Sequence, residues 1–214
     1  MYSVIIFDWS GTISDDREPV YRANMLLLKY FDQEEVDFER WIKNIGSSVL
    51  DFYRAEGINT EPEELVKLFS KFYDEVCFNG VKPKIYPEVK ETLQFLKKKN
   101  VRMAVLSAHP QKHLLAEARE YGIDHFFELI RGGCWDKAEG LRKVCREMGI
   151  NLKRKRKRAG VLYVGDTTHD IKSAHEAGIA SAWVDHGYHK KEDIFLENLS
   201  PEHLLANLTG LKYL

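Results

Sequence analysis

Four apolar runs of strand length, Val4–Phe7, Met103–Leu106, Val161–Val164 and Ser181–Val184, alternate with stretches whose apolar residues recur at helical spacing. This alternation limits the possible folds more than any other feature of the chain. Runs that are apolar throughout, or as in Ser181–Val184 after a first serine, rather than at every second residue, imply strands buried on both faces, as parallel strands are. The spacing predicts a helix that opens at Tyr86-Pro87-Glu88 and closes on Lys97, Lys98 and Lys99. It then predicts a helix over Lys112–Tyr121, a short strand near Leu129 and Ile130, and helices over Ala138–Met148 and Ile171–Ala177. Right-handed crossovers between such units force a parallel sheet with helices on both faces, an α/β fold. Ligands then bind outside the C-terminal ends of the strands.

Between Pro19 and about Phe78 the sheet pattern gives way to helical spacing. One stripe is Val20, Ala23, Leu27 and Phe31; a second is Phe38, Trp41, Ile42 and Ile45, ending at Gly46. Ser47 or Ser48 can cap a third helix that ends at Gly57. Thr60-x-x-Glu63 with Pro62 predicts a capping-box start for a fourth, whose stripe is Leu65, Leu68, Phe69, Phe72 and Val76. The expected organisation is a core of residues 1–14 and 86–214 interrupted by an all-helical unit of residues 15–85.

Composition excludes several classes. The net charge of −1 over 214 residues gives no bias toward nucleic acid or anionic membrane. The N-terminus runs directly into a strand and no long apolar span follows, so the expected location is cytoplasmic, with no membrane partner. Cys77, Cys134 and Cys145 are odd in number and lack CxxC spacing, which argues against a disulfide framework and a zinc knuckle and leaves them as small core residues. The basic run Lys153–Arg158 has no interleaved aromatic residue and reads as a solvated loop, with salt-sensitive anion or RNA contact as the lesser reading. The chain is expected to be a monomer or a homodimer.

Polar groups arrive at one sheet edge. Asp8 follows Val4–Phe7, Ser107 follows Met103–Leu106, Asp166 and Asp170 follow Val161–Val164, and Lys137 stands at a helix start. Each has an ordinary alternative: Ser107 a helix N-cap, Lys137 a surface lysine, Gly165-Asp166 a strand-ending turn. Together they suit phosphoryl transfer. Asp8 can attack phosphorus to give an aspartyl-phosphate. Ser107 can hold non-bridging oxygens while Lys137 offsets their charge, and Asp8, Asp166 and Asp170 offer the hard oxygen ligands that magnesium takes.

The order Asp8-x-x-Gly11-Thr12, Leu106-Ser107, Lys137, Gly165-Asp166-x-x-x-Asp170 resembles the four motifs of the haloacid dehalogenase-like (HAD) hydrolase superfamily. Tyr86-Pro87-Glu88-Val89, Tyr121-Gly122-Ile123 with Phe126-Phe127, and Ala177-Gly178-Ile179 match as well. The resemblance spans roughly residues 1–14 and 86–195. It implies a Rossmann-like doubly wound core with an inserted α-helical cap domain, a Mg2+ cofactor and a small phosphorylated metabolite as partner. It also implies that Asp8 is the catalytic nucleophile, that Thr12, Ser107 and Lys137 bind phosphate, and that Asp8, the Ser10 carbonyl, Asp166 and Asp170 hold the metal. A cap specificity loop falls by position on Asn44–Ser48, with Lys43, Gly46 and Ser47 as its candidate residues.

Ser10 departs from the pattern. Phosphatases of the superfamily usually carry a second aspartate there, which protonates the leaving oxygen, and a serine hydroxyl is far too weak an acid to replace it. Three readings stay open. The enzyme is a phosphatase whose substrate has a good leaving group, or whose proton comes from His109, His169, His186 or His189. Alternatively, Asp8-Trp9-x-Gly11-Thr12, which is similar to the first motif of phosphonoacetaldehyde hydrolase, marks C–P bond cleavage with Lys43 as the nearest Schiff-base lysine. In the third reading the protein binds a phosphorylated ligand without turnover.

Overall fold

The computed structural model describes residues 2–45, 49–153 and 160–214. Its strands are β1 (Val4–Phe7), β2 (Ser14–Asp15), β3 (Lys84–Ile85), β4 (Arg102–Leu106), β5 (Leu129–Arg131), β6 (Val161–Gly165), β7 (Ala180–Val184) and β8 (His203–Leu205). Six of them form one sheet in the order β5-β4-β1-β6-β7-β8, every neighbouring pair parallel. The chain winds outward from β1 in one direction through β4 and β5, then in the other through β6 to β8. The strand order therefore reverses beside β1, the place where ligands bind at the C-terminal ends of open parallel sheets.

Alternate residues of the apolar runs feed two separate cores. Ile5, Phe7, Met103, Val105, Leu162 and Val164 pack with residues of α5 (Val89–Lys98) and α6 (Gln111–Glu120). Val4, Ile6, Ala104, Leu106, Val161 and Tyr163 pack with residues of α7 (Lys137–Glu147) and α8 (Thr168–Ala177). The period-2 geometry of a strand thus uses both faces of each run, which is why none of them shows polar alternation. A six-residue helix, α9 (Lys191–Leu196), and β8 complete the C-terminal part.

The chain divides into two compact units, Met1–Ser14 with Ile85–Leu214, and Asp15–Lys84. The second is all-helical apart from its terminal strand residues: α1 (Arg17–Tyr30), α2 (Phe38–Ile45), α3 (Val49–Ala55) and α4 (Pro62–Phe78). Within it α1 packs along α4. The buried Asn24 of α1 donates to the Val20 carbonyl at 2.7 Å and accepts from the Tyr53 hydroxyl of α3 at 2.5 Å, so two helices share one satisfied polar contact.

Four expectations need correction. The fourth helix has no capping box at Thr60: its N-cap is Glu61, without a side-chain cap bond. Pro62 takes the first helical position and drives the residue before it into extended backbone, which moves the boundary one residue on. The first helix starts at Arg17 and holds Pro19 within its first turn. In the α4 stripe Leu68 and Phe69 are only partly covered, and Tyr73 is buried instead. Of the cysteines, all free, only Cys145 is a core residue; Cys77 and Cys134 are half-buried. Among the described residues no helix is long and apolar enough to cross a membrane. Most of the basic run, residues 154–158, lies outside the described residues, as do Gly46, Ser47 and Ser48.

Candidate active site

Asp8 leaves β1 while its N–H still bonds the Val164 carbonyl at 2.8 Å, so the sheet ladder fixes its backbone. The chain then turns tightly: the Trp9 carbonyl accepts from the N–H groups of Ile13 (2.8 Å) and Ser14 (3.0 Å). Gly11 sits in this turn at φ 71°, and a Cβ there would run into the Asp166 carboxylate. Only glycine meets both demands. Gly187, after β7, lies equally close to Asp166 on another side.

Three carboxylates, those of Asp8, Asp166 and Asp170, are buried with oxygens within 4.8 Å of one another. Lys137 enters among them from the first turn of α7, which the Asp136 side chain caps by accepting from the Glu139 N–H. Its Nζ donates to Asp8 Oδ2 at 3.0 Å and to Asp170 Oδ1 at 2.7 Å. It is 7% exposed, which removes the surface-lysine alternative.

The three acids are held differently. Asp170 Oδ1 also accepts from the Tyr163 hydroxyl at 3.1 Å, and its Oδ2 accepts from the Thr167 N–H (3.0 Å) and hydroxyl (2.6 Å). Four donors fill the acceptor capacity of that carboxylate. Asp166 takes one donor on each oxygen, the Thr12 hydroxyl at 2.8 Å and the Tyr188 N–H at 2.7 Å. Asp8 Oδ1 is buried and has no partner.

The electrostatics follow from this packing. Burial pushes the Asp8 carboxyl up; Lys137 and the Trp9 N–H pull it back, Asp170 adds to the rise, and it settles at about 6. Burial, then the charges of Asp170 and Asp8, raise Asp166 well above the usual carboxylate range. Burial acts upward on Asp170 too, but Lys137 and Thr167 outweigh it and hold it low. Burial alone would lower Lys137, yet the two carboxylates facing it hold it above the ordinary lysine value.

Crowded acids with one open oxygen suit a hard cation. Asp8 and the remaining lone pairs of Asp166 are the available ligands, whereas Asp170 would have to release a donor to join them. In the metal-free protein Asp8 keeps its proton to higher pH when folded, about 6 against roughly 4 unfolded. Its contribution to stability is therefore largest at low pH and falls as pH rises from about 4 to about 6. The unfolding free energy at pH 7 is expected to rise on adding Mg2+, by about 2.7 kcal/mol at a hundredfold excess over Kd, which a thermal melt would register. Asp166→Asn should lose most of that rise, and an equal rise in the variant would remove Asp166 from the metal site.

Ser107 follows directly on β4, 2% exposed, and its Oγ accepts from the His109 N–H at 3.2 Å. It is not a helix cap, because the N-cap of α6 is Pro110. The Thr12 hydroxyl is spent on Asp166. Ser10 forms an isolated bridge with Ser14. His169 is held below the usual histidine value by burial and Lys137. His186 stacks on Tyr86 and its Nε2 lies 3.2 Å from the Thr12 carbonyl, while His189 Nδ1 accepts from the Thr168 N–H. Lys43 is exposed in the last turn of α2.

The site also contains residues that the motifs do not name. Tyr163, Thr167 and the Tyr188 N–H all bond its carboxylates. Thr167-x-x-Asp170 is a capping box that the sequence displays openly, for the Thr167 side chain accepts from the Asp170 N–H as Asp170 reaches back. Nothing comparable marks Tyr163.

The profile of the haloacid dehalogenase-like hydrolase family matches residues 5–184. The chain is a haloacid dehalogenase-like hydrolase. A phosphoglycolate phosphatase of Haemophilus influenzae is 33% identical to this hydrolase over 203 residues, covering 87% of each chain. Among solved structures, a haloacid dehalogenase-like family hydrolase from Streptococcus pneumoniae superposes with a TM-score of 0.80 at 19% identity, over 98% of this chain and 96% of that one. CbbY from Rhodobacter sphaeroides, solved in complex with phosphate, gives 0.77 at 17% identity, over 99% and 96%. At those identities the two structures speak for the fold.

Proposed function

We propose that this hydrolase is a Mg2+-dependent phosphatase of a small phosphorylated metabolite, working through an aspartyl-phosphate on Asp8. The observation that carries the reading is the Asp8 carboxylate itself, with Oδ2 fixed by Lys137 and the buried Oδ1 open. That Oδ1 attacks phosphorus as the bond to the leaving oxygen breaks; attack of water on the new acyl phosphate returns the carboxylate and releases phosphate. Lys137 offsets charge on the transferring group, and Ser107, which follows β4 beside β1 at the C-terminal edge of the sheet, would orient it. Asp166, the Ser10 carbonyl and Asp8, through the lone pair that Lys137 leaves on its Oδ2, would hold the cation, with Asp170 bracing Lys137. A divalent ion bound there supplies charge neutralisation at the phosphoryl oxygens. Phosphatase activity is also what the names of the relatives at about 30% identity support. In the helical unit, Lys43 and the segment with Gly46 and Ser47 are the proposed specificity element.

Ser10 sets the substrate class. Without a carboxylic acid at this position, an alkoxide leaving group forgoes assistance worth about 10² to 10⁴ in rate, roughly 3–5 kcal/mol. The test is Mg2+-dependent hydrolysis across acetyl phosphate, p-nitrophenyl phosphate, 2-phosphoglycolate and simple alkyl phosphates. Rates are expected to fall steeply as the leaving-group pKa rises. A flat profile would mean that another acid serves the site, and no turnover on any member would sink the phosphatase reading in favour of C–P cleavage or ligand binding.

A further inference from the structure

We propose that Glu117 is a positioning residue that ties the turn carrying Asp8 to the turn carrying Ser107. It rests on the reading of Asp8 as nucleophile. Glu117 lies in the middle of α6, 5% exposed, where an apolar side chain would fill the core as well. Its Oε2 accepts from the Trp9 indole N–H at 2.7 Å, and its Oε1 lies 3.0 Å from His109 Nε2. Ser14 Oγ is 3.5 Å from the same Oε2 and shares a 2.9 Å bond with the Tyr121 hydroxyl, one turn further along the helix.

Both ends of this network reach the reaction centre through one residue. Trp9 is the chain neighbour of Asp8; its ring is fully buried and stacked on Tyr121, with centroids 5.9 Å apart and planes at 11°. His109 donates its backbone N–H to Ser107 Oγ. A buried carboxylate is costly to desolvate unless donors surround it, and a buried indole N–H needs an acceptor. Glu117 meets both needs with one group, and it does so across 108 residues of sequence on the Trp9 side. What it gains is a fixed distance between nucleophile and phosphate-binding turn, where an error of about 1 Å costs roughly 10² in rate.

The test compares kcat and KM for wild type, Glu117→Leu, Glu117→Gln and Trp9→Phe on p-nitrophenyl phosphate with Mg2+, each corrected for its folded fraction. Glu117→Leu is expected to lower kcat by about 10- to 100-fold with KM within about twofold. Gln, which keeps an acceptor, should recover most of the loss. Trp9→Phe keeps the ring on Tyr121 and removes only the N–H, so it decides the matter if Glu117→Leu does not fold; a fall in kcat at unchanged KM is expected. Adding Glu117→Leu to Trp9→Phe should cost less than the single changes predict. Wild-type kcat in both Trp9→Phe and Glu117→Leu, or losses confined to KM or melting temperature, would overturn the proposal. Activity that survives Asp8→Asn, or none in the wild type, would instead remove the nucleophile reading beneath it.

Discussion

Asp8→Asn is expected to abolish hydrolysis on every phosphorylated substrate while leaving the metal-free protein folded and at least as stable as wild type. The amide keeps an oxygen for Lys137 and nearly the same volume, so packing and the Lys137 contact survive. It cannot form the acyl phosphate, and the loss should exceed about 10³, beyond what a missing general acid or base explains. Stability moves the other way because Asp8 is one of three crowded acids, its carboxyl held up at about 6 chiefly by burial and by the charge of Asp170. Removing its charge relieves that penalty at neutral pH. Single-turnover assays and a thermal melt of the same preparation check both halves. Residual turnover within tenfold of wild type would exclude Asp8 as nucleophile, and a lower melting temperature would exclude the electrostatic account.

Lys137→Met should produce the largest loss of stability at the site. Lys137 is the cation facing two buried acids, at 3.0 Å from Asp8 and 2.7 Å from Asp170. Breaking a buried pair by removing one partner costs about 3–5 kcal/mol, because the charge left behind stays uncompensated. The methionine fills most of the aliphatic space, so packing contributes little to the difference. The sign with pH is definite. Without the ammonium, Asp8 and Asp170 titrate higher in the folded state, so the folded protein holds protons that the unfolded chain has released, and stability falls as pH rises. Denaturant unfolding at pH 5 and pH 8 should therefore show a gap from wild type that widens with pH, and Mg2+ should narrow it. A gap under about 1 kcal/mol at pH 8 would show that water, and not Lys137, compensates these acids.

The parts legible in the sequence are those whose cause is local. Apolar runs named the central strands because burial on both faces leaves no polar position in them, and Asp8, Ser107, Asp166 and Asp170 were visible because each follows such a run. The elements beyond Val184 were not resolved residue by residue: α9 has six residues and β8 three, too short for either period to show. Tyr163 was hidden for a different reason. It sits in a core strand where an aromatic residue is ordinary, and only the fold brings its hydroxyl to Asp170 and to the Leu106 carbonyl. Glu117 is the extreme case, since a charged residue on an amphipathic helix reads as solvent-facing, and its partners lie on the β1 and β4 turns. The Thr60 cap failed through competition between two local rules, with Pro62 prevailing over Thr60-x-x-Glu63.

β1 is hydrogen-bonded on both edges, to β4 and to β6, and Asp8 continues its ladder to Val164. The peptide groups that carry the proposed nucleophile are therefore expected to open last, their protons exchanging with solvent only when the whole sheet comes apart. Heat is then expected to melt this reaction centre together with the sheet and not ahead of it. For this enzyme the fraction active should then follow the fraction of sheet still folded.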